Sequence, residues 1–101
     1  MGPGAFMSSK VISMPTYEIE HTWEPSQTNK VVAKVGAAVE AAKQGKVPAG
    51  FRPVAIYAVP GTTTAHCVWD APSKDALESL YKSLDIPTRR TIREVQPFFL
   101  R

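Results

Sequence analysis

Residues 15–24 read PTYEIEHTWE, and their strict alternation decides the fold. Tyr17, Ile19, His21 and Trp23 fall on one side of an extended chain; Glu18, Glu20, Thr22 and Glu24 fall on the other. Successive side chains of a strand point to opposite faces, so this pattern predicts a strand with one face buried. After Glu24 the period becomes helical. Pro25 and Ser26 open a segment in which Val32, Val35, Val39 and Ala42 recur at three-and-four spacing, with Ser26 as the expected N-cap. Gly45 stands where a helix end wants a left-handed residue.

The rest of the chain falls into four more segments. KVPAG (46–50) is a loop, and FRPVAIYAVP (51–60) is rich in β-formers and bounded by prolines. Pro53 cannot donate to a ladder, which predicts an edge strand or a late strand start. The short connection at Pro60-Gly61 joins this segment as a hairpin to TTTAHCVWDA (62–71). Ser73 then caps a second helix, with Asp75 in its first turn and Ala76, Leu77, Leu80 and Leu84 as its stripe. Asp85-Ile86-Pro87 ends it, and RTIREVQPFF (90–99) is the last strand.

The order is βαββαβ, an α+β pattern. Right-handed crossovers turn it into a four-stranded antiparallel sheet, order 4-1-3-2, with two helices on one face: the ferredoxin-like arrangement. The opposite face has to meet water, a ligand or a partner. If the apolar sets face the helices, that open face carries Glu18, Glu20, Thr22, Thr64, His66 and Val68. The second strand adds Val54 and Ile56, or Ala55 and Tyr57. The opposite parity exchanges His66 for His21.

YEIEHTW (17–23), PAGFRPV (48–54) and HCVWDAPSKDALESLY (66–81) resemble the first strand, the loop into the second strand, and the third strand with its helix start in the dimeric α/β barrel superfamily. The nearest likeness is to small stand-alone members, a nickel-binding type among them, over roughly residues 14–100. The resemblance implies a homodimer with two sheets facing each other. Relatives include cofactor-free monooxygenases, haem-binding enzymes and isomerases, so function does not follow from the fold.

Composition narrows the field. With 101 residues, 44% hydrophobic and 21% charged, the chain is sized for one globular domain. Residues 1–6, MGPGAF, read as a cloning scar, 7–13 as a flexible N-terminal segment, and 14–101 as the single ferredoxin-like domain. Such a short chain buries only about two thirds of its unfolded surface, which favours dimerisation. A net charge of +3, scattered apart from Arg89, Arg90 and Arg93 with Arg52, argues against nucleic acid. A single cysteine, Cys67, fits a reducing, cytoplasmic setting. No apolar run reaches the ~20 residues that span a bilayer, so no membrane partner is expected.

Three functions remain. The first is a homodimer binding a small ligand or a divalent transition metal (nickel, zinc or copper) at the sheet face. Imidazole and carboxylate suit such metals, which makes His66, His21, Glu18 and Glu20 the metal candidates. The second is a cofactor-free monooxygenase or isomerase acting on a small aromatic or carbonyl substrate. There a histidine accepts a proton, and Tyr17, Trp23, Tyr57 and Trp69 are the ligand-binding rings, Trp23 at the pocket mouth. The third is an association module with no ligand, in which Phe98, Phe99 and Leu100 pack on the dimer mate. Cys67, among apolar neighbours, reads as a buried structural thiol.

Overall fold

The computed structural model describes residues 14–98, so the readings of 1–6, 7–13 and the last three positions lie outside the described residues. The elements are β1 (Thr16–Thr22), a 3-10 turn (Pro25–Gln27), α1 (Thr28–Lys43), β2 (Arg52–Ala58), β3 (Thr64–Asp70), α2 (Lys74–Leu84) and β4 (Arg89–Val95). The sheet is antiparallel in the order β2-β3-β1-β4, the expected 4-1-3-2 read from its other edge. The two central strands are in simple register, Ile19 opposite Cys67 and Glu20 opposite His66.

Parity follows the apolar sets. Tyr17, Ile19, His21, Cys67, Trp69 and, on β4, Ile92 are buried on the side that meets the helices. Leu77, Leu80 and Tyr81 of α2 complete that core with Ala71 and Ile86. Ile19 and Leu77 are fully enclosed, which contributes on the order of 1.5–3 kcal/mol each. No buried residue comes from β2, and α1 supplies only Val31.

Local chemistry explains the element ends, with two departures from expectation. Ser26 does not cap α1. The chain enters through the 3-10 turn, where Gln27 N donates to Glu24 O (2.8 Å), and Ser26 lies inside that turn rather than before the helix. The inward valine of the first turn is Val31, four residues before Val35 on the same row, while Val32 is 64% exposed. The C-terminus of α1 closes as foreseen: Gly45 is left-handed (φ +71°), Lys46 N donates to Ala41 O (2.8 Å) and Gly45 N to Ala42 O (3.1 Å). On α2, Ser73 Oγ accepts from Ala76 N at 3.0 Å, a true N-cap. The left-handed residue at its other end is Asp85 (φ 54°).

β2 is the edge strand that Pro53 demands. A bulge between Pro53 and Ala55 inserts Val54, so Pro53 pairs with Trp69 while Ala55 pairs with Val68. Pro53 and Ile56, three residues apart, thereby turn to the helix side, and Tyr57 turns to the open face opposite His66.

Candidate functional site

The sheet separates the metal candidates. Glu18, Glu20 and His66 stand on the open face and His21 on the helix face, since Glu20 pairs with His66 while His21 pairs with Ala65. On the open face Glu18 is shared. Its Oε1 accepts from Arg93 Nε at 3.0 Å, and its Oε2 lies 3.5 Å from His66 Nδ1. Tyr57, 54% exposed, stacks on the His66 ring at 6.0 Å. The neighbouring arginines are also matched to acids, Arg52 to Asp70 (2.9 Å) and Arg89 to Glu24 (3.6 Å). The face is a mosaic of both signs.

The ligand-ring candidates divide as well. Tyr17 is a core residue. Trp23 is buried, and its Nε1 donates to Thr28 Oγ1 at 3.0 Å. Thr28 in turn donates to Pro25 O (2.9 Å), so this tryptophan pins the β1–α1 turn. Tyr57 lies on the open face. Trp69 alone of the four lines the principal cavity among the described residues.

That cavity lies between α1 and the sheet and holds about 450 Å³. Val35, Ala38, Val39 and Ala42 of α1 form one wall, and Pro53 to Ile56 of β2 another. The volume exists because α1 presents valine and alanine where larger residues would fill the space. At its floor stand His21, Cys67, Trp69 and Tyr81. The volume is in the ~300–1,000 Å³ range of small-molecule sites, and its mix of apolar walls with a few polar groups is theirs too.

The floor has an unusual hydrogen-bond balance. His21 is 2% exposed, and its Nδ1 is 2.9 Å from Thr88 Oγ1. Its Nε2 is buried with no hydrogen-bond partner among the described residues, and the buried Trp69 Nε1 and Tyr81 hydroxyl, neighbours of each other and of Cys67, make no bond of good geometry there. Buried polar groups in folded proteins are paired as a rule, so three together call for an explanation. His21 and Tyr81 meet edge-on at 5.1 Å, and Arg90 lies 5.2 Å over the Tyr81 ring. Burial, with Arg90 adding to it, holds His21 down at about 4, so the imidazole is neutral at pH 7. Burial pushes the Cys67 thiol up and, with Cys67 beside it, the Tyr81 phenol up. Neither titrates near neutrality.

The sequence reading missed Tyr81 and Thr88, and it placed Arg90 only in a basic cluster, whereas the structure sets Arg90 over the Tyr81 ring. Thr88 is 67 positions from His21, and no local spacing joins them. Tyr81 did carry a signal: it follows Leu77 by four, which puts a hydroxyl on the apolar row of α2.

Comparison with known protein families, curated proteins and solved structures finds no match to this chain. Among the described residues, no helix is long and apolar enough to cross a membrane.

Proposed function

We propose that this chain is a small-molecule-binding protein that takes its ligand into the cavity between α1 and the sheet, and that it works as a homodimer. One observation carries the reading: a mostly apolar cavity of about 450 Å³ lies between α1 and the sheet, with His21, Cys67, Trp69 and Tyr81 among its lining residues. A site for an organic molecule needs that combination of apolar walls and a few orienting polar groups. The metal alternative has less behind it, because no three His, Cys, Asp or Glu side chains gather among the described residues. The ligand reading suits the resemblance to the dimeric α/β barrel superfamily, with the site moved from the open face to the helix face.

The dimer reading draws on the open face, where Glu18 and Glu20 stand beside Arg89 and Arg93. A two-fold axis through such a mosaic brings acid to base. Light scattering at micromolar concentration should give twice the chain mass, and a monomer ends this part of the reading.

The cavity is tested by filling it. Ala38→Phe places a ring between α1 and the sheet. Calorimetric titration with 2-acetylnaphthalene should show binding to the parent and none to the folded variant. Equal affinity in both would place the ligand elsewhere.

A further inference from the structure

We infer that the free edge of β2 pairs antiparallel with the β2 edge of a second copy, about a two-fold axis at Tyr57, and that the second copy closes the mouth of the cavity. This contact goes beyond the open-face pairing proposed above and uses a different surface.

The exposed apolar side chains gather on one border of the molecule. Val54, Ile56, Tyr57 and Val59 are all exposed and belong to β2 or the turn after it. Val32 of α1, 64% exposed, shares a helical row with Val39 and Lys43, which face β2 across the cavity. The opposite flank of α1, Lys34, Ala37 and Ala41, faces Leu84 of α2 instead. Three residues of the cavity lining are exposed, Lys43, Val54 and Ile56, so its mouth opens on this same border.

Backbone direction shows what the edge offers. Val59 N donates to Thr64 O at 3.0 Å, and Tyr57 opposite His66 and Ala55 opposite Val68 continue that register. Antiparallel pairs alternate, so Ala55, Tyr57 and Val59 turn their backbone groups to β3, while Ile56 and Ala58 turn theirs outward. Such an edge is a template for another strand unless charge, proline or a bulge guards it. β4, the other edge, carries Arg89, Arg90, Arg93 and Glu94. β2 has Arg52, Pro53 and its bulge at the start only, which leaves residues 55–59 unguarded.

The segment fits itself. No Asp, Glu, Lys or Arg occurs from Pro53 to Trp69, so a strand of the same uncharged kind is wanted. Read antiparallel about Tyr57, Ile56 meets Ala58 of the partner subunit, and Ala55 meets Val59 of the partner subunit. Each branched side chain thus faces an alanine. Ile56 and Ala58 make the hydrogen-bonded pairs, about four backbone bonds in all. The partner strand then runs along Val54 and Ile56, across the cavity mouth.

The test is sedimentation equilibrium without ligand, so its failure is distinct from failure of the ligand reading. A contact this small is weak, and the mass should double between about 10 μM and 1 mM, whatever state the open face sets. Over that range, amide exchange at Ile56 and Ala58 should slow about fivefold, while Tyr57 and Val59 stay protected throughout. Ala58→Pro removes an outward donor without touching the β3 ladder and should abolish the doubling. Ile56→Lys, which sets a charge on the edge, is the second variant should the proline not fold. A thiol reagent should react with Val54→Cys about fivefold more slowly at the upper concentration. Constant mass, or doubling that survives in a folded edge variant, would overturn the contact. Doubling with fast exchange at Ile56 and Ala58 would place it on another surface. Growth without limit would mean head-to-tail pairing. Equal thiol rates would overturn the closing of the cavity.

Discussion

Acidification from pH 7.5 to 5 should weaken the fold by about 2 kcal/mol through His21 alone. The group is held at about 4 in the folded chain against an ordinary 6.5. A depressed histidine means that the unfolded chain binds the proton more readily. Its contribution is complete above 6.5 and falls away as pH drops toward 4. The full difference of about 2.5 units corresponds to roughly 3.4 kcal/mol, most of it lost by pH 5. At 2% exposure, solvent screening takes little from that figure. Arg90 and, to a smaller extent, His66 reinforce the lowering by their charge, and burial pushes Cys67 and Tyr81 up, away from the interval. Urea unfolding at half-unit steps, for the parent and for His21→Asn, separates this residue from the carboxylates that also titrate below pH 5. The asparagine amide, with both an acceptor and a donor, can replace Nδ1 toward Thr88 Oγ1 whichever way that hydrogen bond runs. The variant will be less stable everywhere, but its stability should fall by about 2 kcal/mol less across the interval. Parallel pH curves would refute the burial argument and with it the neutral imidazole at the cavity floor.

Three further outcomes rest on the same geometry. Without ligand, Tyr81→Phe should raise stability by about 1 kcal/mol, or about 4–8 °C in Tm, because it removes a buried hydroxyl that has no partner among the described residues; a fall of that size by thermal melting would mean that the hydroxyl is bonded. Asp85→Gly should stabilise by about 1 kcal/mol by relieving a left-handed backbone (φ 54°), since the exposed Lys34–Asp85 pair at 3.6 Å contributes little; urea midpoints decide it, and a loss would show that the pair matters more. Cys67, buried with its thiol held protonated, should resist an aromatic disulfide reagent in the folded chain and react fully in denaturant; rapid native reaction would place the thiol at the surface.

How much of this was legible depends on the range over which residues act. The alternation of Tyr17, Ile19, His21 and Trp23 against three glutamates and a threonine is a local signal, and it led to the right face for β1. The same parity put Cys67 and Trp69 inside. Together with two helical stripes, it was enough for the element order and the sheet order. The capping serine of α2 was legible because Ser73 precedes a helix directly; Ser26 was not, because a 3-10 turn intervenes. Side-by-side valines left the phase of α1 open by one residue, and Val31 took the inward place. The bulge at Val54 has no sequence signature, so only the ladder itself decides the facing of Ile56 and Tyr57. The site was the least legible part. Its floor joins β1, β3, α2 and, through Thr88, the turn before β4, and only tertiary packing brings these together.

The uneven origin of the core also has a dynamic consequence. β1, β3, β4 and α2 supply most of the buried side chains among the described residues, the connections supply Trp23, Ala71 and Ile86, whereas β2 supplies none and α1 a single valine. The first four form a slab that can open only with the whole molecule. α1 and β2, with left-handed glycines at 45 and 50 in the segment between them, form a flap hinged along its border. Amide hydrogens of the flap should exchange through partial openings of low free energy, and those of the slab only through global unfolding. Since the flap is also the outer wall of the cavity, an occupant that touches both parts would knit them into one cooperative unit. The slowing of α1 exchange would then read out occupancy directly.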